Sequence, residues 1–392
     1  MRKHCMTWIL LACGPALAPA WSAPEIPASD EVVLAVVDDA VEFGAARMRE
    51  LRAQLQRDAY DDSSARELIA LYLQRARTTG DARYTSYAQH LLAPWWTRAS
   101  LPSEMRFTRA QVKQALHDFD GALLDLDRIV LDAPGHADAL LLRATLLVLR
   151  GEHRRARQDC KQLAQRVDPL TGLICSAATS VSKDAIARSL RVLDGALPQA
   201  RARDAGFQQW TYFTLADLAS RLGEWERALR YLDSAATIAA LDLPARALRA
   251  DALLALHRPQ AVIAMINEPT PADALLARKI AALRLADEPT FNDALVLAQT
   301  RLRESQARPM PGHERDLALL LIEAEIADAE ALNAARTNWR RQREAIDAYA
   351  LLRAAERHAD TTARADITDW LNATGFYDLR ILQLLDRKES AS

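Results

Sequence analysis

The side chains of this 392-residue sequence that could do chemistry are few and widely spaced: Cys160 and Cys175, His117, His136 and His153, and an arginine that recurs at 75, 109 and 143. Two cysteines at this separation can form a disulfide or remain as two buried thiols. A metal centre would call for a Cys-x-x-Cys pair or clustered histidines, and neither accompanies them. The three histidines supply no i, i+4 ligand pair either, so no metal is expected. Phosphate cradles and dinucleotide turns need closely spaced glycines. Of the 12 glycines here, no two stand within about ten residues of each other, so no cofactor is expected. Gly-x-Ser-x-Gly and His-Glu-x-x-His are absent too. The acidic run Glu323, Glu325, Asp328 and Glu330 reads as a solvated helix face, with Arg340, Arg341 and Arg343 as its counter-charges. An enzyme would have to gather carboxylates from distant parts of the chain, and a non-enzymatic protein is the simpler expectation.

The elements that carry these residues are written in the composition. Ala, Leu and Arg are abundant, β-branched residues are scattered, and 12 Gly and 16 Pro are few for this length, which favours helix over strand. With 50% of residues hydrophobic, material for a continuous core is ample. A formal net charge of −2 gives no electrostatic case for nucleic acid or an anionic membrane as the main partner.

Met1-Arg-Lys-His4, an apolar run from Met6 to Ala18 and small residues at Ala18, Ala20 and Ser22 have the layout of a secretory signal peptide cleaved after Ala20 or Ser22. The apolar run is too short for a stable membrane span, and no later stretch approaches 18 uninterrupted apolar residues. The expected location is periplasmic or secreted. Leu10-Leu-Ala-Cys13-Gly also resembles a lipoprotein box, which would place a lipid anchor on Cys13 in the outer membrane.

The organising signal is a pattern written twice between residues 103 and 170. Phe107-Thr-Arg-Ala110 with Gly121-Ala122-Leu recurs as Leu141-Leu-Arg-Ala144 with Arg155-Ala156-Arg, each position 34 residues further on. One small-residue series runs Ala76, Ala110, Ala144, Ala178 and, after a four-residue insertion, Ala216 and Ala250. A companion runs Ala88, Ala122, Ala156, Leu190, Ala228 and Val262; a third, Leu92, Leu126, Cys160, Asp194, Leu232 and Ile266, is apolar except at Asp194. Two helices cross closely where both present small side chains, while larger apolar residues fill the seam. A fixed period of this kind marks stacked helix pairs, with the pair at 171–204 the weakest.

These segments, with Leu215-Ala216 followed by Gly223-Glu-Trp-Glu-Arg-Ala228-Leu, resemble the tetratricopeptide repeat, and the chain as a whole resembles an exported repeat protein of a Gram-negative bacterium. Arg75, Arg109, Arg143 and Arg249 match the subtype with Arg before the small Ala, and Gly80 to Trp96 is similar to a segment of such exported proteins. The resemblance implies an all-α, right-handed solenoid of antiparallel helix pairs, organised as signal peptide 1–22, linker and helix 23–63, repeats 64–306 and a C-terminal helical cap 307–392. It implies a concave groove for protein or peptide partners, lined by the first helices and including Phe107, Gln111, Trp210, Phe213, Asp217 and Arg221. Burial of these aromatic residues inside the stack is the competing expectation. It also puts Cys160 and Cys175 on touching helices, where an oxidising compartment favours the disulfide. Asp125 and Asp159, at matched positions on second helices, are expected to pair with Arg109 and Arg143 rather than leave a cationic column open.

Overall fold

The computed structural model describes residues 44–267, 272–306, 314–326 and 329–389, with backbone alone at 304–306 and 387–389. The signal segment, Cys13, Pro309 to Gly312 and Asp328 lie outside the described residues. Contacts divide the chain at Arg47; every helix after the first, and the sites below, belong to the unit Met48–Ser392.

Every regular element among the described residues is a helix, as the composition predicts. After α1 (Ala45–Arg57), the pairs are α2 (Asp62–Thr79) with α3 (Ala82–Leu91), α4 (Ser103–Ala115) with α5 (Phe119–Asp132), and α6 (Ala137–Leu149) with α7 (His153–Arg166). They continue with α8 (Pro169–Ala178) and α9 (Lys183–Gly195), a short α10 (Leu197–Arg201), then α11 (Ala205–Arg221) with α12 (Trp225–Ile238) and α13 (Leu243–Ala255) with α14 (Pro259–Met265). The pairs α15 (Asp273–Leu285) with α16 (Phe291–Gln306), α17 (Glu314–Glu323) with α18 (Ala329–Trp339), and α19 (Ala345–His358) with α20 (Thr361–Thr374) precede a last helix, α21 (Leu379–Glu389). The fold is an all-α solenoid.

Local chemistry fixes where each helix starts and stops. Asp61, Asp118, Asp168, Asp204, Asp242 and Asp360 sit at N-caps, each side chain accepting a backbone N–H of the first turn. At the other end, first helices stop at a residue in the left-handed region: Gly80, His117, Gly151, Gly223, His257, Asp287, Glu325 and Ala359. Such a residue turns the chain back and lets its N–H satisfy a carbonyl left over by the last turn.

The two alanine ladders face each other across these pairs. Ala110, Ala144, Ala216 and Ala250 on first helices are buried, and so are Ala88, Ala122, Ala156, Leu190, Ala228 and Val262 on second helices. Ala76, near the end of α2, is only half-buried. The fourth pair departs from the pattern by one residue: Ala177 and Leu193 are buried, while Ala178 and Asp194 are half-buried. Its first helix has only 10 residues and, unlike the other first helices, no left-handed terminator.

Two sequence expectations are corrected beyond residue 306. The acidic run from Glu323 to Glu330, read as one helix face, is split between the end of α17 and the start of α18, with Glu325 at φ 61° after α17. Its acids do not face the arginines named for them. Glu325 pairs with Arg284 and Glu330 with Arg303, whereas Arg341 pairs with Glu314 and Arg340 donates to Thr337. Pairing therefore continues past residue 306, and a new apolar cluster built from Leu276, Leu320, Ala334, Leu351 and Ile367 runs through these last pairs.

Candidate interaction site

The recurring arginines are engaged inside the stack. Arg109 reaches across to α5 and forms a two-pronged ion pair with Asp125, its Nε 2.9 Å from Oδ2, and its third arm donates to the carbonyls of Trp95, Trp96 and Arg98. Arg143 repeats the arrangement one pair later, with Nε 2.9 Å from Asp159 Oδ2, and adds Asp127 at 2.8 Å. Arg75 lies over the Tyr84 ring at 5.8 Å. Burial works to raise the Asp125 carboxyl, but hydrogen bonds from Arg109 and Lys113 outweigh it and hold the group below the usual carboxylate range. The row is thus a set of fasteners between helices, as the matched aspartates predict.

A second row is formed by the turns that end the first helices, and the C-terminal helices fold back onto it. Gln342 Nε2 lies 3.1 Å from His117 Nδ1, Arg343 N–H donates to the Leu149 carbonyl at 2.7 Å, and Leu379 sits over Gly223. A further contact is made by the non-helical segment Gly375–Asp378. Tyr377 N–H donates to the Val181 carbonyl at 2.8 Å, while the buried guanidinium of Arg221 donates to the carbonyls of Ser180 at 2.8 Å and Tyr377 at 3.1 Å. Arg221 also covers the Phe376 ring at 4.2 Å. Phe376 also meets Trp370 and His153, with ring centres 4.6 and 5.6 Å away.

The six positions proposed for the groove therefore separate into two sets. Arg221 is engaged by the protein's own C-terminal segment. Asp217, one turn earlier on α11, has its carboxyl pushed up by burial and by Asp378 against the pull of Arg221. Phe107, Gln111, Trp210 and Phe213 are half-buried. The Phe107 ring lies 5.7 Å from that of His136, Trp210 lies between the cores on either side of it, and Phe213 packs on the core of α11 and α12. The structure joins Cys160 of α7 to Cys175 of α8 as a disulfide with Cα atoms 5.3 Å apart. The three histidines serve three different ends. His136 caps α6, His117 turns the chain at the end of α4, and His153 is buried with both ring nitrogens unpartnered among the described residues.

A cavity of about 470 Å³ lies where α13, α15 and α17 face α19 and α21. Asp251, Arg278, Glu323, Tyr349, Arg353 and Arg380 supply its polar wall, and Trp225 and Leu384 are among its apolar residues. Nothing in the repeat pattern points to it. Its residues come from five or more helices, several of which have lost the 34-residue register, and Arg380 would pass in the sequence for a surface residue of an amphipathic helix.

No family model matches the sequence, and no curated protein matches it. Among solved structures the chain is similar to a tetratricopeptide repeat protein from Parabacteroides merdae ATCC 43184, at 15% sequence identity and a TM-score of 0.43, over 64% of this chain and 90% of that chain.

Proposed function

We propose that the chain is a non-enzymatic protein-interaction scaffold of the cell envelope, which docks a segment of a partner protein on the inner face of its first helices. The observation that carries this reading is the seating of Gly375–Asp378, where the row of turns holds a non-helical piece of chain through main-chain hydrogen bonds and an aromatic contact. A surface that engages backbone carbonyls and N–H groups in this way can engage those of another chain. Arg221 serves the internal segment and Asp217 lies within the electrostatic reach of that arginine, so the docking positions for a partner are Phe107, Gln111, Trp210 and Phe213 on α4 and α11. Half-buried aromatic residues of this kind are the usual anchors of protein interfaces.

Gln111→Arg tests the docking face with little disturbance of the core, because Gln111 is polar and half-buried. A protein retained from envelope extract by the wild type and lost by this variant, with unchanged thermal melting, supports the proposal; equal capture by both rejects the named face. Export rests on the basic, apolar and small-residue layout of residues 1–22. N-terminal sequencing of protein recovered from the envelope is expected to begin at Trp21 or Ala23. A lipid-labelled chain beginning at Cys13 would instead establish the lipoprotein adaptor that Leu10-Leu-Ala-Cys13 suggests.

A further inference from the structure

The cavity between the inner helices and α21 contains cations whose engagement is unequal. Arg278 is fully occupied: it forms a two-pronged ion pair with Asp251 at 2.8 and 2.9 Å and donates to the Ala274 carbonyl. Arg284 is likewise held by the Glu323 carbonyl and the Glu325 carboxylate. Arg353 donates to the neutral Tyr349 hydroxyl at 2.9 Å, and its neighbouring carboxylate, Glu356, stands 3.8 Å away, outside hydrogen-bond length. Arg380 is the least satisfied. Its guanidinium lies between two rings, 5.0 Å from Trp225 and 5.7 Å from Tyr349, and its buried Nε has no hydrogen-bond acceptor among the described residues. The nearest carboxylate oxygen, Asp378 Oδ1, is 3.7 Å from that Nε and already accepts the backbone N–H groups of Arg380 and Ile381.

Buried arginines are normally matched, because an unmatched guanidinium loses its hydration without return. One that faces a cavity is a donor set held ready for an anion, and its planar fork suits a carboxylate. The remainder of the wall is largely apolar, with Leu254, Ala277, Leu319, Ile346 and Leu384 joining Trp225 in the lining. The volume of about 470 Å³ is within the range of small-ligand sites. Asp251 and Glu323 hold the net positive charge of the lining to a low value, which suits a monoanion better than a phosphate.

We propose that this cavity binds a small organic acid, with its carboxylate on Arg380 and Arg353 and its apolar body against Trp225 and Leu319. A carboxylate next to an apolar group is also carried by the last residue of a peptide. The walls supplied by α19 and α21 favour the compact free acid. The site is separate from the docking face on α4 and α11, and either assignment can fail without the other.

Saturation-transfer NMR and thermal melting of the full chain with 3-phenylpropionate test the proposal, alongside its amide, inorganic phosphate and the tripeptide Gly-Gly-Phe. The acid is expected to bind and to raise the melting temperature, with the amide, phosphate and tripeptide each at least about tenfold weaker. Arg380→Gln is expected to weaken binding of the acid by about tenfold or more. Should that variant melt abnormally, Arg353→Gln is expected to weaken it several-fold. No transfer to 3-phenylpropionate at millimolar concentration would overturn the proposal, as would equal binding of the amide or phosphate, or indifference to both substitutions. Tighter binding of the tripeptide would overturn the assignment to a free acid.

Discussion

Asp125 is the residue on which three cations converge: Arg109, Lys113 and, at 3.7 Å, Arg106. Removing one partner of a buried ion pair leaves the others uncompensated, so Asp125→Ala is expected to destabilise the fold by about 3–5 kcal/mol in urea unfolding. The sign of its titration follows from the lowered pKa. The contribution of the carboxylate is present above the ordinary value of an unfolded Asp and is lost as the pH falls through the lower folded value. His153 acts in the same acidic direction for a different reason. Burial first, then Arg221 and Arg157, lower its pKa from 6.5 to about 4. Between those two values the unfolded chain takes up a proton that the folded chain refuses, so stability falls with pH across that window and levels off below it. The full effect is at most about 3.5 kcal/mol, from about 1.4 kcal/mol per pKa unit. Urea midpoints at pH 7 and pH 4.5 are expected to differ less in His153→Leu than in the wild type; an unchanged difference would count against a neutral, buried His153.

Between elements, the fourth pair is the irregular one, where α8 is short and the ladder slips. Gly172 allows α8 to meet α7 there, since a Cβ would stand 2.3 Å from that of Ala164, and the Cys160–Cys175 disulfide fastens the same two helices. A bridge closing a loop of 15 residues is worth about 3 kcal/mol. Reduction, or Cys160→Ala with Cys175→Ala, is therefore expected to lower the urea midpoint with the helical circular dichroism retained; an unchanged midpoint would show that packing alone holds the joint. The left-handed residue that ends α2 is under a different constraint. Gly80 has φ +72°, and a Cβ there would stand 2.4 Å from that of Ala272, which has no flexible end to swing away. Gly80→Ala is expected to cost about 1–2 kcal/mol for the backbone alone, and more for the displaced contact between the end of α2 and Ala272 at the start of α15. These terminators also mark where the sequence is readable. Gly80, Gly151 and Gly223 declare themselves by residue type. His257, Asp287 and Glu325 occupy the same conformation without a glycine, so the turns after α13, α15 and α17 carry no chemical signature.

At the scale of the whole Met48–Ser392 unit, periodic features are legible and folding back is not. Ala110, Ala144, Ala216 and Ala250, with Asp125 and Asp159 opposite the arginines, recur because each pair solves the same packing problem, and a repeated problem leaves a repeated trace. The meetings of Phe376 with Arg221 and of Arg380 with Trp225 happen once each, between residues far apart in sequence, and a single event leaves no period to detect. For the same reason the placement of Phe107, Trp210 and Phe213 on first helices was legible, while the engagement of Arg221 by the C-terminal segment was not. The functional account rests on the inner face of α4 and α11 being the surface that meets a partner. Photo-crosslinking in living cells tests this most directly, with p-benzoylphenylalanine placed at Gln111 on α4 and, as a control, at Leu124, which is 72% exposed on α5. A discrete crosslinked protein from position 111 and none from position 124 is the result the account predicts. Crosslinks from position 124 alone, or the same products from both, would contradict it.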